Sequence, residues 1–191
     1  MNVHKSFTSA IIGLGANLPG ESGSTEATLR QALRDLEHER LVVQNVSPFY
    51  ATPCFPAGSG PEYVNAVAVV QTDCAPRDFL SHLHLIEARH GRSRQERWGA
   101  RVLDLDLLAM EERVAPDDAG LRKWMGLSPD RQRRDAPDQL ILPHPRLQDR
   151  AFVLVPMNDV APDWRHPVLK RTVAQMLARL DPGLRAEVRR L

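Results

Sequence analysis

With only two cysteines, Cys54 and Cys74, in 191 residues, the chain has no disulfide framework and no metal-type cysteine spacing. Nowhere does it reach the ~18 consecutive apolar residues of a membrane-spanning helix, and "MNVHKSFTSAIIGLG" lacks a signal-length apolar core. Charge of one sign is missing too: 25 Lys and Arg against 24 Asp and Glu leave +1, which excludes capture of a polyanion by bulk charge. "GLGAN" has a G-x-G without the rest of a dinucleotide fingerprint, and no G-x-x-x-x-G-K-[ST] loop occurs. His82, His84 and His90 do not share i, i+4 spacing, so no zinc site is expected, and no nucleophile elbow appears. At 42% apolar and 26% charged residues, the composition is that of a globular protein. One domain over residues 1–191 is expected, in the cytoplasm, with neither membrane nor nucleic acid as partner.

The periodicities order the elements. "SAIIGLGAN" reads as a strand running into a glycine turn, and "STEATLRQALRDLEHE" as a helix capped by Ser24 or Thr25. "RLVVQNVSPFY" and "YVNAVAVVQT" are strands, and "APRDFLSHLHLIEARHG" is a helix opened by Pro76. "RVLDLDLLAM" is a further strand. The order βαββαβ predicts an α+β, ferredoxin-like core. Residues 111–139 are polar and Arg-, Asp- and Pro-rich, which predicts a surface insertion or long loop. "LILPHPRLQDRAFVLVPMNDVAPDW" reads as extended and proline-broken, and "TVAQMLARL" as a final helix with a Thr172–Gln175 capping box.

The chemistry concentrates in "ERWGARVLDLDLL". Asp104 and Asp106 alternate with Leu103, Leu105 and Leu107, so a strand places both carboxylates on one face. Arg89, Arg92, Arg94, Arg97 and Arg101 lead into them, offering planar donor forks suited to phosphate. Either motif alone also describes a solvated surface turn or an exposed strand face. Together they suit magnesium, which takes one or two carboxylates and completes its shell with substrate phosphates. In "EYVNAVAVV", Tyr63 and Asn65 point to one side, a ring plus a carboxamide such as a flat heterocycle requires. Trp98 and Phe152 add aromatic surface where aromatics are only 5% of residues.

These residues resemble a known family. "RWGARVLDLDLL" is similar to the R-W-G-x-R-x-L-D-[IL]-D signature of the 6-hydroxymethyl-7,8-dihydropterin pyrophosphokinases of folate biosynthesis. "GLGANL", "SPFYATPCF…PEYVNAVAVV", "LIEARHGRSR" and "LPHPRLQDRAFVLVPM" resemble further family motifs in the same order. The resemblance implies magnesium-dependent transfer of pyrophosphate from ATP to the pterin hydroxymethyl group, releasing AMP. It implies that Asp104 and Asp106 hold two magnesium ions, with Arg92 and Arg101 as catalytic phosphate contacts. It implies pterin binding by Tyr63, Phe152, Asn65, Thr52, Pro53, Phe55 and Trp98. ATP contacts would come from His84, Glu87, Arg92, Arg94, Arg101, Leu107, His144, Pro145 and Arg150. The resemblance favours a monomer and a loop over residues 91–101 that closes on ligand. Three positions depart from the pattern: Ala16 replaces a serine, His84 a common glutamine, and Pro145 a frequent aromatic. The rival expectation is a ferredoxin-like module that binds nucleic acid or a nucleotide without catalysis.

Overall fold

A computed structural model describes residues 7–38, 41–54, 60–91 and 101–191. Six strands form one sheet: β1 (Thr8–Ala16), β2 (Val42–Val46), β3 (Tyr50–Thr52), β4 (Tyr63–Thr72), β5 (Asp104–Met110) and β6 (Arg189–Arg190). The helices are α1 (Thr25–His38), α2 (Pro76–Arg89), α3 (Asp118–Met125), α4 (Pro129–Arg134), α5 (Ala151–Val160), α6 (Val173–Arg179) and α7 (Pro182–Ala186). The sheet order is β5-β1-β4-β3-β6, with β2 also on β4, and the pairings are antiparallel. This is the ferredoxin-like α+β arrangement, with the expected second strand broken in two. The Ser47 backbone N–H donates to the Val67 carbonyl at 2.9 Å and its Oγ accepts from Val67 N–H at 3.0 Å, so the break costs the sheet little pairing.

Alternation along the strands builds two cores. Ala10, Ile12, Leu14, Ala66, Ala68, Leu105 and Leu107 face α1 and α2, where Leu29, Leu36, Phe79, Leu83 and Ile86 meet them. On the opposite face Ile11, Val67 and Leu108 are covered by Val153, Leu154 and Met157 of α5 and by Val173 and Met176 of α6. Each large side chain buried in this way contributes ~1.5–3 kcal/mol. Ser24 caps α1, its Oγ accepting from Ala27 N–H at 3.1 Å, and the Thr172–Gln175 box caps α6.

Four expectations are corrected. β1 continues through both glycines to Ala16, because Gly13 and Gly15 lie opposite paired residues on β4 and β5 rather than at a turn. Of the two alternatives for residues 111–139, a surface insertion or a long loop, the loop is corrected: the segment holds α3 and α4. Asp117 caps α3 by accepting from Gly120 N–H at 2.7 Å, Ser128 caps α4, and Leu121 joins Ile141 and Val168 in a small third core. The stretch expected to be extended around Phe152 is helix α5. Its interior Pro156 removes one hydrogen bond, a cost of ~3 kcal/mol, but helical spacing places Val153, Leu154 and Met157 together on the sheet. Finally, α6 is followed by α7 and β6, so it is not the last element. Among the described residues no helix is long and apolar enough to cross a membrane.

Candidate active site

Antiparallel register aligns the site in rows across the sheet. Gly15 lies between Asn65 of β4 and Asp104 of β5, and Gly13 lies between Val67 and Asp106. Both aspartates therefore share the face that α5 covers at its other end, while Leu105 and Leu107 turn into the α1–α2 core. The glycines keep this floor open. A Cβ at Gly15 would stand 3.1 Å from Asn65 Oδ1, and one at Gly13 would meet Leu108 at 3.5 Å.

Each aspartate has a cationic neighbour. Arg101 Nη1 bonds Asp104 Oδ2, and Arg150 Nη1 stands 3.9 Å from Asp106 Oδ2. The two carboxylates thus face arginines rather than only each other. Burial opposes the Arg101 charge, yet Asp104 outweighs it and holds the guanidinium above its usual pKa. For Arg150 burial wins and lowers the pKa, against the attraction of Asp106 and Asp104.

Two further residues fix this end of β5. Glu87 is 1% exposed, and its Oε1 accepts from the Leu105 backbone N–H at 2.7 Å. The resemblance implies an ATP contact there; in the fold the side chain braces the strand between the two aspartates. Asn17, singled out above only through its place in "GLGANL", is buried at the end of β1. Its Oδ1 accepts from Arg101 N–H at 2.6 Å, and its own N–H donates to the Arg101 carbonyl at 2.9 Å. An asparagine after a glycine-bearing strand was the available signal, and only the fold shows its partner 84 residues away.

On the β4 side, Asn65 Nδ2 donates to Thr52 Oγ1 at 2.8 Å, which leaves Oδ1 as an acceptor beside Gly15. Tyr63 is partly buried. Burial chiefly raises its pKa, Asp104 adds to the shift, and Arg101 opposes it. Phe152, 39% exposed in the first turn of α5, carries the Arg150 guanidinium 5.4 Å from its ring centroid. Pro53 is exposed just beyond β3. Phe55, Arg92, Arg94 and Trp98, and all of the expected closing loop except Gly91 and Arg101, lie outside the described residues.

A groove of about 470 Å³ runs off the edge of β5, within the ~300–1,000 Å³ of small-molecule sites. It joins Asp106 and Leu107 to His84, His144 and Pro145, bringing together five expected site residues. The His144 backbone N–H donates to the Leu108 carbonyl at 2.8 Å, and its Nδ1 accepts from Arg146 N–H at 3.1 Å. Burial first, then Arg150 and Arg146, lowers its pKa to about 3. The imidazole is thus neutral with its proton on Nε2, a donor. Trp124, Leu127 and Gln132 of the 111–139 segment also line the groove, a contribution not foreseen from the sequence.

The profile of the 7,8-dihydro-6-hydroxymethylpterin-pyrophosphokinase (HPPK) family matches residues 11–162. A 2-amino-4-hydroxy-6-hydroxymethyldihydropteridine pyrophosphokinase of Pseudomonas aeruginosa is 38% identical over 156 residues, covering 82% of each chain. Its namesake in Methylorubrum extorquens is 33% identical over 177 residues, 93% of this chain and 96% of the relative. The Plasmodium falciparum HPPK-DHPS triple mutant with SDX-DHP superposes with a TM-score of 0.65 at 16% identity, a likeness of fold. That match covers 93% of this chain and 45% of the plasmodial one, so this chain spans slightly under half of that protein's length. The shared fold, the match over residues 11–162 and the identity to its bacterial relatives show that the chain belongs to the 7,8-dihydro-6-hydroxymethylpterin-pyrophosphokinase family.

Proposed function

We propose that this site performs the reaction of its family: transfer of pyrophosphate from ATP to the hydroxymethyl group of 6-hydroxymethyl-7,8-dihydropterin, releasing AMP, in folate biosynthesis. The observation that carries the reading is the row Asp104–Gly15–Asn65, which sets a carboxylate across one open strand position from the Asn65 amide, with Asp106 on the same face in the next row. The pterin lies on the Asn65 side. Asn65 Oδ1 accepts from the heterocycle's N–H groups, Thr52 having fixed the amide's orientation. Tyr63 and Phe152 flank the ring, joined by Pro53, Phe55 and Trp98.

The triphosphate lies across β5. The donor set fits magnesium: two carboxylates on one face, with substrate oxygens to complete the coordination. Asp104 and Asp106 would hold two ions, which when bound neutralise the phosphate charge. Arg101 and Arg150, already drawn to the aspartates, turn their donors to phosphate oxygens, and His144 Nε2–H donates to another. Arg92 and Arg94 complete the cationic side. The pterin alcohol attacks the β-phosphorus and AMP departs in line. Little covalent work falls to the protein; holding alcohol and phosphorus in register supplies most of the acceleration.

An assay of AMP release with magnesium and ATP tests the reading. AMP should accumulate only when the hydroxymethyl pterin is added. Release at an equal rate without the pterin, or none with it, overturns the proposal.

A further inference from the structure

We propose that the helix pair α3–α4 is the adenine-reading wall of the ATP site, so that a segment outside the family motifs sets this enzyme's nucleotide affinity and base selectivity. The inference rests on the reading that the triphosphate lies on Asp104 and Asp106. From Asp106 the groove runs away from Asn65 and the pterin pocket, so what enters it is the far end of the nucleotide. Its lining is mixed: Asp106, His84, His144 and Arg146 supply charged and polar groups, while Leu80 of α2 and Trp124 and Leu127 of the 111–139 segment supply apolar surface. A groove that offers both apolar side chains and polar partners beside Asp106 fits a purine attached to phosphates.

The wall is built to hold its position. Leu121 is fully buried against Ile141 and Val168, and Trp124 packs at the edge of that cluster. Ala115 and Leu142 exchange backbone hydrogen bonds at 2.9 and 3.0 Å, which ties the start of the segment to the strand-like stretch before His144. Arg146 Nη2 donates to the Gln132 carbonyl, so the stretch that carries His144 and the wall are directly linked.

Gln132 provides the specificity. Its Nε2 donates to the Leu127 carbonyl at 2.8 Å, which fixes the amide and leaves Oε1 as an acceptor in the groove lining. Adenine offers an exocyclic amine to such an acceptor. Guanine offers a carbonyl oxygen at the equivalent ring position, and two acceptors repel. A site built around one polar partner rejects the analogue that cannot satisfy it.

Leu127 belongs to none of the three apolar clusters, so Leu127→Ser tests the wall without opening a core. The expected result is a rise of roughly tenfold or more in KM for ATP, with KM for the pterin unchanged. The same loss should appear in calorimetric titration with AMP alone, which requires no turnover. Gln132→Leu should lower the ratio of kcat/KM for ATP over GTP by roughly tenfold, the scale of one lost polar contact. Unchanged AMP affinity in folded Leu127→Ser overturns the proposal. If Leu127→Ser fails to fold, an unchanged ATP-to-GTP ratio in Gln132→Leu overturns it instead. Asp106→Asn separates the two layers: an inactive Asp106→Asn beside a neutral Leu127→Ser sinks the wall alone, whereas a fully active Asp106→Asn sinks the reading beneath it.

Discussion

On one face of the sheet β1, β4 and β5 present Ala10, Ile12, Leu14, Ala66, Ala68, Leu105 and Leu107, all shut under α1 and α2. On the other face the same strands present Gly13, Gly15, Asn65, Asp104 and Asp106 at one end, and only the far end is sealed by α5 and α6. Neighbouring residues along one strand therefore do opposite work. Leu105 is core while Asp104 and Asp106 are the carboxylates proposed to hold magnesium, and the two-residue strand period alone divides them. The closed face can be continuous and apolar because the polar residues of these strands lie on the open face. The open face can carry polar groups because the other supplies the burial energy.

The largest expected effect comes from breaking the open face alone. Asp106→Ala should lower turnover by orders of magnitude at saturating magnesium, measured as AMP release, while the fold persists by circular dichroism. Near-normal turnover would remove Asp106 from the site. Breaking the closed face gives the converse result. Phe79 is fully buried between α2 and the sheet, and Phe79→Ala should cost about 3–5 kcal/mol in urea unfolding. The activity per folded molecule should stay near that of the parent.

Glu87 connects the two faces, since it is buried on the closed side yet holds the strand that carries both aspartates. Glu87→Ala strands the Leu105 N–H and should cost about 1–3 kcal/mol. Glu87→Gln keeps an acceptor oxygen and should recover most of that loss. An equal loss in both variants would show that the carboxylate charge, rather than the hydrogen bond, matters.

How much of this could be read in the sequence depends on the range of the interaction. Asp104, Asp106, Tyr63 and Asn65 were assigned to their faces correctly because the strand period is local. The roles of Gly13 and Gly15 were not, since a glycine in a strand declares itself only through what crosses it, here Asn65 and Asp104. Helix α5 was hidden by Pro156 and its neighbours, although Val153, Leu154 and Met157 already stood at helical spacing. Helix α3 was hidden by polarity: of its eight residues only Leu121 is fully buried, too few for a visible apolar period. Its cap at Asp117 and the glycine at 126 were the local signals available. The clamp of Asn17 on Arg101 was not legible locally, because it joins positions 84 apart.

Acid sharpens the contrast within the third core. His166 is fully buried, with Nδ1 accepting from Val168 and Leu169 N–H groups at 3.2 Å each. Burial, then Arg122, lowers its pKa to about 4 from the ordinary 6.5. Between those values the unfolded chain binds the proton that the folded chain refuses. The stability contribution is therefore complete above pH 6.5 and is lost as pH falls toward 4, on the order of 3 kcal/mol. Urea midpoints across that window should decline. His166→Asn should flatten the slope without abolishing it, since His144, held at about pKa 3, adds a second contribution of the same sign. An unaltered slope in His166→Asn would assign the acid sensitivity to other groups.

The smallest expected effect divides the open face itself into a pterin half and a nucleotide half. Phe152 sits where α5 ends its cover of the sheet, 39% exposed, with Arg150 over its ring and Asp106 beyond that arginine. Its ring contributes to no core cluster, so Phe152→Ala leaves no cavity and should leave unfolding unchanged. If the ring flanks the pterin, its removal costs the aromatic contact, about 0.5–1.5 kcal/mol beyond lost area, a two- to roughly tenfold weakening of pterin affinity. ATP affinity should move much less, because Arg150 keeps Asp106 as its partner when the ring is gone. Calorimetry on the pterin and on ATP, each with magnesium, reads both numbers. A larger loss for ATP than for the pterin would mean that Phe152 works through Arg150 on the phosphates, and the boundary between the two halves would then lie on the other side of α5's first turn.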